Sequence, residues 1–105
     1  MKTDRSLRQI KINYELYVRV KQYCIIKQFT LTDLYDHILE WYFSEHLISE
    51  NLAIFHASHK GGKRLSLWIK QKHLHKIITL SKTYDISNAR VIYTALILYV
   101  THHTI

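Results

Sequence analysis

The sequence has no proline, one cysteine, one methionine and only two glycines in 105 residues. Without proline, no turn is set by a locked φ and no element is broken by a missing backbone donor. The two glycines are adjacent, Gly61 and Gly62, so the freedom that glycine gives the backbone is concentrated in one place. The single cysteine, Cys24, excludes an internal disulfide, and its neighbours Tyr23, Ile25 and Ile26 mark it as a small core residue. No run of about 18 uncharged apolar residues exists, and no apolar stretch of signal-peptide length opens the chain. These absences lead to the expectation of a soluble, cytoplasmic protein with no membrane partner. Residues that are 48 % apolar supply enough material for the core of one small domain.

Acidic residues are also scarce. Fifteen Lys and Arg against eight Asp and Glu give a formal net charge of +7, which favours a polyanionic partner. The distribution is uneven. Residues 7–46 carry five basic and five acidic side chains, whereas from Lys60 onwards eight basic residues face Asp85 alone.

The chain carries one plan twice. Shifted by 57 residues, 29–42 lies over 86–99 without a gap: Phe29 meets Ile86, Thr30 meets Ser87, Leu34 meets Val91, Ile38 meets Ala95, Leu39 meets Leu96 and Tyr42 meets Tyr99. The apolar positions recur at helical spacing. Thr30 and Ser87 stand where N-caps belong, and Asp33 adds a favourable charge to the first of these helix starts. Upstream, the same shift pairs Tyr17 with Leu74, Val20 with Ile77, Tyr23 with Leu80 and Cys24 with Ser81, which predicts an earlier helix of roughly four turns in each copy. Before that, Ile10 and Ile12 alternate with polar residues, as do Leu65, Leu67 and Ile69; alternation predicts a short strand with one apolar face. Neither copy is large enough to bury its own stripes, so each needs the other. The segment between them ends at Gly61-Gly62, with a further helical turn expected around Leu52 to Phe55.

Strand, helix, turn, helix in this pattern resembles the ribbon-helix-helix family of DNA-binding proteins, here with two copies in one chain. The resemblance covers almost all of residues 7–99. In the first copy it rests on Ile10, Ile12, Leu16, Val20, Tyr23, Cys24, Thr30, Leu34, Tyr35, Ile38 and Leu39. The doubled plan is also similar to plasmid-transfer accessory proteins of the relaxosome. The family commonly has proline where the strand ends and glycine between the helices; this chain has no proline, and Gln28 and Asp85 occupy the turns. Asp adopts the left-handed conformation more readily than Gln.

The resemblance implies a mainly α fold with a short two-stranded antiparallel ribbon, a tandem ribbon-helix-helix pseudo-dimer in one domain. Residues 7–46 are then the first repeat, 47–62 a linker and 63–101 the second repeat. It also implies a sequence-specific protein for double-stranded DNA that puts the ribbon into the major groove, acting as a transcriptional repressor or as a plasmid or phage DNA-processing accessory factor. The outward ribbon residues Gln9, Lys11, Arg64, Ser66 and Trp68 are the expected base contacts. Gln suits adenine, Arg and Lys suit guanine, and Trp68 suits a thymine methyl or a sugar. The helix starts Thr30 with Leu31 and Ser87 with Asn88 are expected phosphate clamps, and Lys60, Lys63, Lys70 and Lys72 add attraction independent of sequence. The outward residues of the two copies differ, so the target is expected to be non-palindromic, with the second copy dominating backbone affinity and further copies of the protein or a partner protein on adjacent sites.

Other chemistry finds little footing. The eight histidines, His73 and His75 among them, lack a cysteine pair or an HExxH frame and are read as surface groups on a basic face; no metal or cofactor is expected. No phosphate loop, nucleophile elbow or carboxylate pair points to an enzyme. The alternative is a protein-binding module on the same core, docking through Trp41-Tyr42-Phe43 or the linker around Phe55.

Overall fold

The alternation in the sequence forms two eight-residue strands, β1 (Arg5–Ile12) and β2 (Lys63–Lys70), which pair antiparallel along their whole length. The computed structural model describes residues 4–46, 55–56 and 61–103. After β1 come α1 (Tyr14–Lys27), α2 (Leu31–Trp41) and a π-helical turn (Tyr42–His46); after β2 come α3 (Gln71–Tyr84) and α4 (Asn88–His102). Among the described residues the protein is thus mainly helical with a two-stranded antiparallel sheet, and strand, helix and helix follow in the same order twice. β1 begins two residues before the expected start at residue 7. The expected turn at Leu52–Phe55 lies outside the described residues except for Phe55, which is not helical.

Local chemistry fixes the boundaries. Asn13 caps α1, its Oδ1 accepting the Leu16 N–H at 2.7 Å. Thr30 Oγ1 accepts from the Asp33 N–H at 3.0 Å and Ser87 Oγ from the Arg90 N–H at 3.1 Å, so both expected caps are in place. α1 ends at Gln28 with φ 59° and α3 ends at Asp85 with φ 56°, both left-handed. In each turn the following amide, that of Phe29 or Ile86, reaches back to a carbonyl five residues earlier, at 2.9 and 3.0 Å. Gln28 therefore adopts the same left-handed closure as Asp85. Gly62, at φ 86°, sits just before β2 in a conformation that favours glycine.

The inner sheet face, Ile10, Ile12, Leu65, Leu67 and Ile69, is buried. α2 packs on β2 and α4 packs on β1, so each of these helices covers the strand from the other half of the chain. α2 also packs on α4. Six consecutive residues of α4, Val91 to Leu96, are buried, as befits a helix enclosed on all sides. Among them Ile92 offers its carbonyl to the buried Tyr35 hydroxyl, which ties α2 to α4. Each large apolar side chain buried this way contributes about 1.5–3 kcal/mol. Cys24 is buried as expected, and that burial pushes its thiol pKa up.

Candidate nucleic-acid interface

The strand register decides which side chains share the outer face. Gln9 pairs with Ser66 in the middle, Lys11 with Arg64 on one side and Leu7 with Trp68 on the other. All six are exposed, opposite the buried face. The five residues expected to contact bases are therefore brought together on one surface. Successive outward residues on a strand stand about 6.8 Å apart, so Leu7 to Lys11 spans about 13–14 Å. At 3.4 Å per base pair that is the length of about four base pairs.

At the centre, Gln9 Nε2 donates to Ser66 Oγ at 3.1 Å. This contact holds the amide while leaving Oε1 and a second N–H, the groups that a bidentate contact to an adenine edge requires. Trp68 is 48 % exposed and Leu7 is 41 % exposed, an apolar cross-strand pair on a face turned away from the core. The sequence reading missed Leu7 because an outward leucine breaks the alternation that defined the strand.

The two helix starts differ in charge. Thr30 and Leu31 open α2 with Asp33 in the first turn, and Ser87 and Asn88 open α4 with Arg90 at the matching place. The first N–H groups of a helix have no intrahelical acceptor and carry the positive end of its dipole. A carboxylate beside the first start competes with an anion, whereas the guanidinium beside the second favours one. Arg90 is itself anchored, its Nη2 donating to the Phe55 carbonyl at 3.3 Å.

The lysines expected at phosphates fall into different settings. Lys60 lies outside the described residues. Lys63 is exposed, with Nζ 5.4 Å from the centre of the Tyr17 ring. Lys70 lies 3.9 Å from Asp36, and Lys72 lies 3.6 Å from Glu40. Asp36 is also bound by both terminal nitrogens of Arg5, at 2.9 and 3.1 Å. Burial pushes the Asp36 carboxyl up, but the Arg5 hydrogen bonds and charge, with Lys70 and His73, outweigh it and hold the pKa below its ordinary value. Asp36 and Glu40 stand one turn apart on α2, beside the start of α3. That start has no side-chain cap and has Lys70 and Lys72 where acids would suit the dipole.

The reading of every histidine as a surface group is corrected at His73. It is 2 % exposed, with Nε2 2.9 Å from Glu40 Oε1, and its Nδ1 is buried without a partner. The physical reason is position: His73 occupies a core-facing site of α3, where the first copy has Leu16. Its hydrogen bond is the main cause of the lowered Glu40 pKa. The 57-residue shift would have flagged it, since it sets His73 over Leu16. Among the described residues no group of three or more His, Cys, Asp or Glu is placed to hold a metal ion.

The aromatic segment considered for protein docking turns inward. Tyr42 is buried, Trp41 meets Tyr99 edge-on at 5.5 Å, and Phe43 packs against Tyr42 at 5.3 Å. Phe55 is partly buried, with its ring 5.1 Å from that of Tyr84. Among the described residues, no helix is long and apolar enough to cross a membrane. Comparison with protein-family models, curated proteins and solved structures finds no match for this chain.

Proposed function

We propose that this chain is a sequence-specific double-stranded DNA-binding protein that works as a tandem ribbon-helix-helix pseudo-dimer. Its two repeats, 7–46 and 63–101, supply one strand each to a ribbon that enters the major groove. Gln9, Lys11, Arg64, Ser66 and Trp68 meet base edges there. The starts of α2 and α4, with Lys63, meet the flanking phosphates. A transcriptional repressor and a DNA-processing accessory factor would use the same surface, and the protein serves in one of these roles.

The observation that carries the reading is the register. It gathers Gln9, Lys11, Arg64, Ser66 and Trp68 on one exposed face while Ile10, Ile12, Leu65, Leu67 and Ile69 on the other side of the sheet join the core. A two-stranded ribbon of this width fits the major groove, and the concentration of positive charge in the second half supplies the sequence-independent attraction. The alternative protein-binding reading loses support from the burial of Tyr42 and the internal packing of Trp41 and Phe43.

The test is a salt series with duplex DNA. Neutralising about five phosphates would weaken binding about 500-fold between 50 and 200 mM salt. Lys11→Ala and Arg64→Ala should each cost about 1–3 kcal/mol on the preferred sequence and relax its choice of base. Failure to bind any duplex at low salt would overturn the proposal.

A further inference from the structure

The ribbon has two chemically different ends. Its centre is the Gln9–Ser66 pair, and these two residues correspond under the 57-residue shift. An antiparallel pair of equivalent strands is symmetric about such a centre, so in a homodimer the residues on either side would be the same. Here one side carries Lys11 opposite Arg64, and the other carries Leu7 opposite Trp68. The shift sets Leu7 against Arg64 and Lys11 against Trp68, so of these four side chains both cations flank the centre at one end and both apolar groups at the other.

The surroundings reinforce this division. Past Lys11–Arg64 the strands end at Ile12–Lys63, which belong to the alternate side of the pleat: Ile12 is buried, and Lys63 is exposed with its Nζ 5.4 Å from the centre of the Tyr17 ring. Beyond Leu7–Trp68 the next outward pair is Arg5–Lys70, and both of these cations are drawn to Asp36. One end therefore offers hydrogen-bond donors and positive charge. The other offers exposed apolar area flanked by cations that already have a carboxylate.

We infer that the ribbon reads a directional site whose two halves are recognised by different chemistry: guanine edges under Lys11 and Arg64, and thymine methyl groups under Leu7 and Trp68. The inference rests on the ribbon entering the major groove as proposed above. Guanine presents N7 and O6 acceptors in that groove, which suit Arg and Lys, while thymine alone among the bases presents a methyl group there. An indole beside a leucine covers methyl groups by apolar burial, and its single donor, Nε1–H, cannot make the bidentate contact by which Arg reads guanine. The protein thus has a single productive orientation on its site.

The experiment selects bound duplexes from a random pool and then edits the winner. The intact chain should return a motif of about four to five base pairs with guanine at one end and thymine at the other. Replacing those thymines by uracil removes only the methyl group and should weaken binding about fourfold per methyl contacted. Trp68→Ala with Leu7→Ala should abolish this sensitivity to uracil and leave the guanine preference intact. Leu7→Arg with Trp68→Lys should turn the selected motif into an inverted repeat with guanine in both halves. Because Leu7 and Trp68 are exposed, the fold should survive, and a thermal melt checks that it does. A palindromic motif for the intact chain, or uracil tolerated without loss, would overturn the inference while leaving DNA binding standing. Absence of any selected duplex would remove the ribbon proposal and this inference together.

Discussion

Glu40→Gln should make DNA binding tighter and more sensitive to salt. In the intact protein Lys72 Nζ lies 3.6 Å from Glu40 Oε1, and both side chains are more than half exposed. Breaking such a pair costs little, about 0.2–1 kcal/mol. The larger effect is on counterions. When Lys72 moves to a phosphate, the DNA releases close to one cation, but the abandoned carboxylate attracts one, so the net release approaches zero. Glutamine keeps an oxygen for the 2.9 Å contact with His73 Nε2 while removing the charge. Lys72 then contributes its full share, and the slope of log affinity against log salt should steepen by up to about 0.9. Between 50 and 200 mM that is an extra factor of about 3.5. The assay is a titration of a labelled duplex at four or more salt concentrations. Removing an acid near DNA also weakens general repulsion, so Lys72→Ala is combined with Glu40→Gln as the control. The steeper slope should vanish in the double variant. An unchanged slope for Glu40→Gln, or a steeper slope that persists without Lys72, would refute the reasoning.

The two helix–helix turns give a paired prediction. Gln28 holds φ 59° at a cost that glycine does not incur, so Gln28→Gly should stabilise the fold by about 0.5–1 kcal/mol and raise Tm by a few degrees. Asp85→Gly should gain less, because Asp tolerates the left-handed region better. Acid should uncover Asp36: its folded pKa lies below the ordinary 3.8, so the unfolded chain binds the proton more readily. Its contribution is complete above the unfolded value and is lost as pH falls through the folded one. Asp36→Asn should therefore cost about 1–2 kcal/mol near neutrality and flatten this part of the acid-unfolding curve, measured by denaturant melts from pH 6 to 2. Cys24, buried and with its thiol pKa raised, should react with a thiol reagent only as fast as the protein opens, and a fast reaction in native buffer would contradict its placement in the core.

Much of this fold was legible because apolar spacing is a property of the chain alone. Two strands and four helices follow from the positions of Ile, Leu, Val and Tyr, and the caps follow from single hydroxyl residues, Thr30 and Ser87. The first two residues of β1 were not legible: Arg5 and Ser6 lie before the expected start at residue 7, and they form a strand because β2 supplies Lys70 and Ile69 as their partners. The outer face was legible in five of its members but not in Leu7 or in its pairing, since the meeting of Leu7 with Trp68 follows only after the central pair is known. Lys70 and Lys72 read as free cations because nothing in their own segment shows that Asp36 and Glu40, more than thirty residues earlier, will stand beside them. His73 was misread for the same reason: burial is decided by the neighbouring element, and a histidine in a charged segment carries no local sign of it.

The His73–Glu40 contact also shows what two unequal halves on one chain permit. Under the 57-residue shift His73 corresponds to Leu16 and Glu40 to Ile97. Leu16 and Ile97 line one hollow together, as His73 and Glu40 line another. One site therefore holds an apolar pair and its counterpart a hydrogen-bonded pair. Removing Glu40 alone would leave the buried Nε2 of His73 without its hydrogen-bond partner, at a cost of about 1–3 kcal/mol, so the two positions are coupled. In a homodimer any such change is made in both places at once; in one chain each site changes alone. The same freedom applies to the outer ribbon face, where Leu7 and Trp68 differ from their counterparts Arg64 and Lys11 at no cost to the core, because those side chains take no part in packing it. Repeating the apolar pattern of strand, helix and helix in one chain keeps what folds the protein and leaves the outward residues of the two halves free to differ, which is the physical condition for the directional reading proposed above.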